Sequence, residues 1–305
     1  FEDQVKECLI RAGFMEVINY SFISPRDFDR INLPMDSSLR NVVQIKNPLS
    51  DEQSVMRTSL IPGLLETAAR NTSRRNQDFA FFECGRIFLP GEEKLPQEPV
   101  MLGGIISGKV ERGWNQTAQV YDFFFLKGVL DALFTRLGIK NWSLKAESFP
   151  GFLHPGRAGN IFLDDIYVGF MGEVHPAVQE NYHLENRTYV FQIYLQPVIE
   201  AALDVVKYQP IPKYPALDRD MALVVKNEIP AEAIEKTIWE NGEDILTGVN
   251  LFDVYKGTQI PDGYKSLAYA LTFQSKERTL SDDDVLPVFN KIKERLSEKF
   301  GVELR

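Results

Sequence analysis

Three prolines within seven residues, in Gln209-Pro210-Ile211-Pro212-Lys213-Tyr214-Pro215, constrain this chain more than any other feature. Each proline fixes its own φ, removes a backbone donor and pushes the residue before it out of the helical region, so no helix continues through the stretch. At 305 residues the chain is also two to three times the size of a typical domain. Together these facts divide it into residues 1–206 and 207–305.

The second part has a readable order: strand (Met221–Val225), helix (Pro230–Asn241), strand (Val249–Tyr255), strand (Ser266–Gln274), helix (Ser281–Phe300) and a short strand (Val302–Leu304). That βαββαβ succession is the split-βαβ, ferredoxin-like sandwich. Its last helix is well marked. Ser281 and Asp284 make a capping-box pair, Val285, Val288, Phe289, Ile292 and Leu296 share a face, and Lys291, Lys293, Arg295 and Lys299 lie towards the C-terminal end.

In the first part, Val5, Cys8, Leu9 and Ala12 mark a helix over 2–12, which Gly13 ends. Phe14 to Phe22 reads as one strand. Ser59 reads as the N-cap of a helix to Arg70, with Pro62 in its first turn and Leu60, Leu64, Leu65, Ala68 and Ala69 on one side. Strands are expected over Asp78–Leu89, Pro99–Ser107 and Val190–Tyr194, and a hairpin over Asn160–Glu173 turning at Asp164-Asp165. Helices are expected over Asp122–Leu137 and near Pro197–Leu203.

Several function classes are disfavoured. No apolar run approaches the ~18 residues of a membrane helix, and no basic segment followed by an apolar one marks a secretory signal. The opening Phe1 falls inside a helical pattern, which suggests a piece of a longer chain. Two cysteines, Cys8 and Cys84, cannot make a disulfide framework, and their apolar surroundings suggest buried thiols in a reducing cytoplasm. Three scattered histidines lack zinc-ligand spacing, so no metal site is expected. The net charge of −9 argues against indiscriminate coating of nucleic acid but allows a local RNA-reading face.

Four motifs invite functional readings, and each has a plainer one. Gly103-Gly104-Ile105-Ile106-Ser107-Gly108-Lys109-Val110 nearly spells a phosphate loop, but Val110 stands where a hydroxyl must ligate Mg²⁺, so the glycines read as small residues in a strand beneath a neighbour's side chain. Asp282-Asp283-Asp284 reads as helix capping. His154-Pro155-Gly156-Arg157 reads as a turn. Glu83 and Arg86 lie in an apolar strand, where a charge must be neutralised by each other, by Arg57 or by a partner chain.

The segments Asn47-Pro48-Leu49-Ser50, Met56-Arg57-Thr58-Ser59-Leu60-Ile61-Pro62-Gly63-Leu64-Leu65, Phe82-Glu83-Cys84-Gly85-Arg86-Ile87-Phe88 and Gly172-Glu173-Val174-His175-Pro176 resemble the bacterial phenylalanyl-tRNA synthetase β subunit. In the second part so do Tyr214-Pro215, Arg219-Asp220, Phe252-Asp253-Val254-Tyr255-Lys256-Gly257, Lys265-Ser266-Leu267-Ala268 and Thr279-Leu280-Ser281-Asp282. The resemblance runs along the whole chain in order. It implies an α+β chain: a class II synthetase-like antiparallel-sheet module without catalysis, then a ferredoxin-fold anticodon-binding domain. It further implies a catalytic α subunit that handles phenylalanine, ATP and Mg²⁺, a heterotetramer of two αβ pairs, tRNA(Phe) as the other partner, and a cytoplasmic setting. Neither DNA nor a membrane is an expected partner. The phosphate-clamping arginines of a working class II site are missing from Phe81-Phe82-Glu83-Cys84 and from Gly169-Phe170-Met171-Gly172-Glu173, so no catalytic residue and no bound cofactor are expected in this part. The alternative is a free-standing synthetase paralogue that keeps its own small-molecule site.

Under this resemblance the subunit contact is expected around Ser59–Arg70 and Asn47–Ser50, with Leu60, Leu64 and Leu65 facing either the α subunit or the domain's own sheet. The RNA site is expected on the open face of the second sheet. Alternation places Phe252, Val254, Leu267, Leu271, Phe273, Leu223 and Val225 inward, and Asp253, Tyr255, Ser266, Ala268, Ala270 and Ala222 outward. Tyr255 would stack a base, Asp253 would accept from a guanine edge, and Ala222, Ser266 and Ala268 would leave room for it. Lys256, Lys265, Lys276 and Arg278 would meet phosphates from the rim.

Overall fold

A computed structural model describes all residues except 92–94, 111–112, 148, 204–207, 209, 258 and 305, and the side chains of 303 and 304. The chain folds as two compact units, Phe1–Val206 and Lys207–Arg305. The joint between them, with Gln209 of the proline-rich stretch, lies outside the described residues.

Unit 1 begins with α1 (Glu2–Arg11), which ends at Gly13 in the left-handed region (φ +91°), followed by β1 (Met15–Glu16) and β2 (Phe22–Ile23). The single strand expected over Phe14–Phe22 is therefore two short ones, with residues 17–21 in neither. Next come α2 (Arg26–Arg30), β3 (Val55–Met56, paired with β2), α3 (Ile61–Ser73), β4 (Phe79–Arg86) and β5 (Val100–Ser107). A small hairpin of β6 (Lys109–Val110) and β7 (Gln119–Val120) leads into α4 (Phe123–Arg136), whose N-cap Asp122 accepts from Phe125 N–H. The unit closes with β8 (Trp142–Lys145), β9 (Leu153–Leu163), β10 (Ile166–Val174), α5 (Pro176–Asn181), β11 (Thr188–Tyr194) and α6 (Leu195–Ala201). The β9–β10 hairpin turns at Asp164, as expected, with φ +51°. His154 to Arg157 lie inside β9 rather than in a turn, and Arg157 donates to the buried Glu173 carboxylate at 3.0 and 3.1 Å.

Seven strands form one sheet in the order β1-β4-β5-β11-β10-β9-β8, antiparallel except for the β1–β4 pair. Both faces are covered. On one side Val5 and Leu9 of α1, Leu126, Leu130 and Leu133 of α4 and Val198 of α6 pack on Phe82, Leu102, Ile106 and Phe191. On the other side Leu64, Leu65 and Ala68 of α3, with Leu60 just before it, pack on Phe81, Met101, Ile105 and Val190.

The paired glycines of β5 make this double cover possible. A Cβ on Gly103 would sit 3.1 Å from Leu64 and 3.2 Å from Leu60, and one on Gly104 would collide with the Phe191 ring. The strand-under-neighbours reading of these glycines holds. Ser59 is not the N-cap of α3. That place is Leu60's, while Ser59 Oγ donates to Gln192 Oε1 (2.9 Å) and accepts from Ile61 N–H, tying the helix start to β11. Cys8 and Cys84 are free and half-buried rather than fully buried, and burial pushes the Cys84 thiol up to about 12. No helix among the described residues is long and apolar enough to cross a membrane.

Unit 2 follows the expected order: β12 (Leu217–Lys226), α7 (Ala231–Asn241), β13 (Leu246–Tyr255), β14 (Tyr264–Phe273), α8 (Asp282–Phe300) and β15 (Glu303–Leu304). The sheet order is β13-β14-β12-β15, all antiparallel. Ile234 and Ile238 of α7 and Val285, Val288, Ile292 and Leu296 of α8 pack on one face, against Leu223, Val225, Leu267, Tyr269, Leu271 and Phe273. The Ser281–Asp284 capping box is present, and Arg219 pairs with Asp282.

Replacing Gly104 by Val drives a side chain into Phe191, and overpacking of this kind costs about 1–3 kcal/mol. Urea unfolding should show a lower midpoint for Gly104→Val. An unchanged midpoint would mean that the Phe191 ring is not packed as described.

Candidate nucleic-acid interface and docking edge

The face of the second sheet opposite its helices is built from cross-strand rows. Strand register sets Tyr255 opposite Ser266, and Asp253 opposite Ala268, which is in turn opposite Ala222. Directly paired residues share a face, so these five side chains stand together on the uncovered side, with neighbouring strands about 4.8 Å apart. Tyr255 is 40% exposed. Its phenol lies beside Gly257, where a Cβ would collide with it, so that glycine gives the ring its place.

The inward expectation for the neighbouring pair needs correcting. Phe252 is the extra residue of a β-bulge between the Leu251–Tyr269 and Asp253–Ala268 pairs, and it is 54% exposed. Val254 is opposite Leu267, on the helix-covered side, but it lies near the end of an edge strand and is 51% exposed. Asp253 and Tyr255 both follow the bulge, so their mutual alternation survives it.

One of the four rim cations is also corrected. Lys265 is opposite Val225 and therefore on the helix-covered side, where its ammonium donates to the carbonyls of Asn227 (3.2 Å) and Ile229 (2.6 Å). Burial lowers its pKa, with the charge of Lys256 adding to the effect. Arg278 is held by both oxygens of Asp284 at 2.7 Å, and that guanidinium keeps the Asp284 carboxyl well below the usual carboxylate range. Arg278 nonetheless remains exposed, as are Lys256 and Lys276.

The open face also carries residues that sequence reasoning passed over. Asn250 and Asp220 flank Ala270, and Asp218 accepts from Thr272 Oγ1 at 2.7 Å. Alternation from Ala222 and Ser266 already contained Asp218, Asp220 and Thr272, whereas Asn250 lies beyond the bulge that breaks the count on its own strand. The face is thus rich in hydrogen-bond acceptors and carries carboxylates, so bases with donor edges suit it better than phosphates.

In unit 1, Leu60, Leu64 and Leu65 are each 0% exposed. They fill the unit's own core, in place of a partner-facing side, because the glycines of β5 let them descend onto the sheet. Leu49 of the expected Asn47–Ser50 contact is exposed, as are Trp114 and Phe124 among others. A run of exposed apolar side chains lies at and between β1 and β2: Met15, Ile18, Tyr20 and Phe22, with Ile18 91% and Tyr20 75% exposed. Beside them an open groove of about 530 Å³ runs between residues 19–30 and α3, with Arg26, Arg30, Arg70 and Asp27, Glu52, Glu66 among its lining.

Beneath this edge lies a buried ion pair. Arg57 Nη1 donates to Glu83 Oε1 at 2.6 Å, and Arg57 Nε donates to the Arg86 carbonyl at 2.9 Å. Glu83 is thus neutralised by Arg57, while Arg86 instead donates to the Glu98 carbonyl. Among the described residues no cluster of His, Cys, Asp and Glu is arranged to hold a metal ion. Nor do the Gly103-Gly104 backbone groups fit a phosphate, because Leu60, Leu64 and Phe191 occupy the space above them.

Comparison with known proteins gives the chain its place. Residues 1–195 match the family described as phenylalanyl tRNA synthetase beta chain CLM domain, and residues 212–305 match the one described as ferredoxin-fold anticodon binding domain. The chain is 43% identical over 305 residues to the phenylalanine–tRNA ligase beta subunit of Moorella thermoacetica, covering all of this chain and 38% of that protein. It is 41% identical over 306 residues to the beta subunit of Clostridium acetobutylicum, covering all of this chain and 37% of that one. The chain thus spans well under half the length of these relatives. A crystal structure of pyrrolysyl-tRNA synthetase from Desulfitobacterium hafniense superposes with a TM-score of 0.50 at 16% identity, over 65% of this chain and 66% of that one, a likeness of fold alone. With both units matched in order and whole-chain identity above 40%, the chain belongs to the phenylalanyl-tRNA synthetase β-chain family.

Proposed function

We propose that the chain is a non-catalytic part of a phenylalanine–tRNA ligase, in which unit 1 docks the catalytic α subunit and unit 2 binds the anticodon region of tRNA(Phe). The row of Tyr255, Asp253, Ser266, Ala268 and Ala222 carries this reading. It offers an aromatic platform, an exposed carboxylate acceptor and small neighbours on one uncovered face, in a unit matched to anticodon-binding domains. Stacking on such a platform contributes roughly 1–3 kcal/mol per base, and a carboxylate accepts from the donor edge of guanine. Lys256, Lys276 and Arg278 are the exposed cations that can meet phosphates from the rim.

The filled sheet supports the absence of catalysis. Leucines from the start of α3 and Phe191 occupy the space over Gly103 and Gly104, and Glu83 is spent on Arg57. ATP and Mg²⁺ are then handled by the α subunit. A cytoplasmic setting follows from the ligase role and agrees with two free cysteines. The docking surface is the Met15–Phe22 edge rather than the buried leucines, because a subunit contact needs exposed apolar anchors.

In the full ligase, Tyr255→Ala and Ala222→Trp should each lower kcat/KM for tRNA in aminoacylation by about tenfold or more, with phenylalanine-dependent pyrophosphate exchange unaltered. Wild-type values for both variants would remove the open face as the anticodon site. Ile18→Asp and Tyr20→Asp place a charge on the docking edge without disturbing the core. Sedimentation of the co-expressed subunits should then show weaker αβ association, and intact assembly would mean that the contact lies elsewhere.

A further inference from the structure

The exposed edge is held from below at one point, and we infer that Asn19 is a positioning residue: its amide, clamped between the buried Glu83 and Thr67 of α3, fixes residues 18–20 so that Ile18 and Tyr20 are presented to a partner subunit. This rests on the docking reading above.

The backbone here is anchored on either side but belongs to no strand in between. Val17 N–H donates to the Phe82 carbonyl at 2.8 Å, and the Ser21 carbonyl accepts from Arg57 N–H at 2.9 Å. Between those anchors the side chains alternate. Ile18 and Tyr20 point to solvent, and Asn19 points in. Asn19 Nδ2 donates to Glu83 Oε2 at 2.7 Å, Asn19 N–H lies 3.4 Å from Glu83 Oε1, and Thr67 Oγ1 donates to Asn19 Oδ1 at 2.6 Å.

The chemistry orients the amide without ambiguity. A carboxylate only accepts, so the NH₂ must face Glu83, and the carbonyl end then meets the one hydroxyl donor beside it. The bond to Glu83 is charge-assisted, and Glu83 is itself fixed by Arg57 with both side chains about 95% buried. Gly63 leaves the space: a Cβ there would lie 3.0 Å from Asn19 Cβ. Asn19 thus ties the edge to both the sheet and α3, while its neighbours form the wall of the groove. Ordering these residues before binding spares the subunit contact their conformational entropy.

The test uses Asn19→Ala in the full β chain, co-expressed with the α subunit. Amide hydrogen exchange over residues 18–21 of the full chain should speed up by about tenfold, and the Kd for α should rise by a similar factor, since a bond to a charged group is lost. Unchanged exchange at 18–21 overturns the latch. Faster exchange with an unchanged Kd overturns the coupling to docking. Ile18→Asp then separates the two readings. If it weakens assembly while Asn19→Ala does not, the edge docks but needs no latch. If neither weakens assembly, the docking reading fails as well. Should Asn19→Ala fail to fold, Thr67→Val removes the other hold on the amide at the half-buried side of α3, and the same two readouts apply.

Discussion

A carboxylate at the centre of an apolar strand organises one edge of unit 1. Glu83 lies on β4 among Phe79, Phe81 and Phe82, and it is 3% exposed. Burying it alone would be prohibitive, so the fold must deliver a cation and donors to it. Arg57 arrives from the segment before α3, and Asn19 arrives from the segment between β1 and β2. A cross-strand carboxylate thereby brings together three stretches far apart in sequence. A buried pair of this kind need not add net stability, but removing either partner strands the other, at about 3–5 kcal/mol. Its effect is to specify arrangement: β4 of the sheet, the segment leading into α3 and the exposed edge are locked to the same point.

The same region shows how two glycines of one strand let core side chains fill both faces of a sheet. Gly103 and Gly104 let side chains descend onto β5 from both directions, Leu60 and Leu64 on one face and Phe191 on the other. Space that could have received a ligand is core. Among the surfaces left exposed are the Met15–Phe22 edge of unit 1 and the uncovered face of unit 2.

Unit 2 was legible in the sequence because its elements repeat cleanly at periods of 2 and 3.6 between strong stop signals, and the outward set Ala222, Asp253, Tyr255, Ser266 and Ala268 follows from alternation. Its errors have local causes. One bulge residue, Phe252, breaks a period-2 count without any signal such as Gly. Lys265 looks like a rim cation until strand register sets it opposite Val225 and the carbonyls before α7 claim its ammonium. In unit 1, the glycine pair of β5 and the need to neutralise Glu83 could be read from chemistry alone. Which apolar side chains stay at the surface could not. Leu60 and Leu64 carry the same apolar signal as Ile18 and Tyr20, and only the packing reveals which pair the core absorbs. Ser59 has the residue type of an N-cap, but Gln192, 133 positions away, engages its hydroxyl.

The claim that the uncovered face of unit 2 meets RNA is tested most directly by oxidative side-chain labelling of the assembled ligase with and without tRNA(Phe). Tyr255 and Phe252 lie on or beside that face, whereas Trp239, 49% exposed, lies on α7 on the opposite side of the sheet. Binding should reduce labelling of Tyr255 and leave Trp239 unchanged. Protection of Trp239 with Tyr255 still labelled at its free rate would contradict the account.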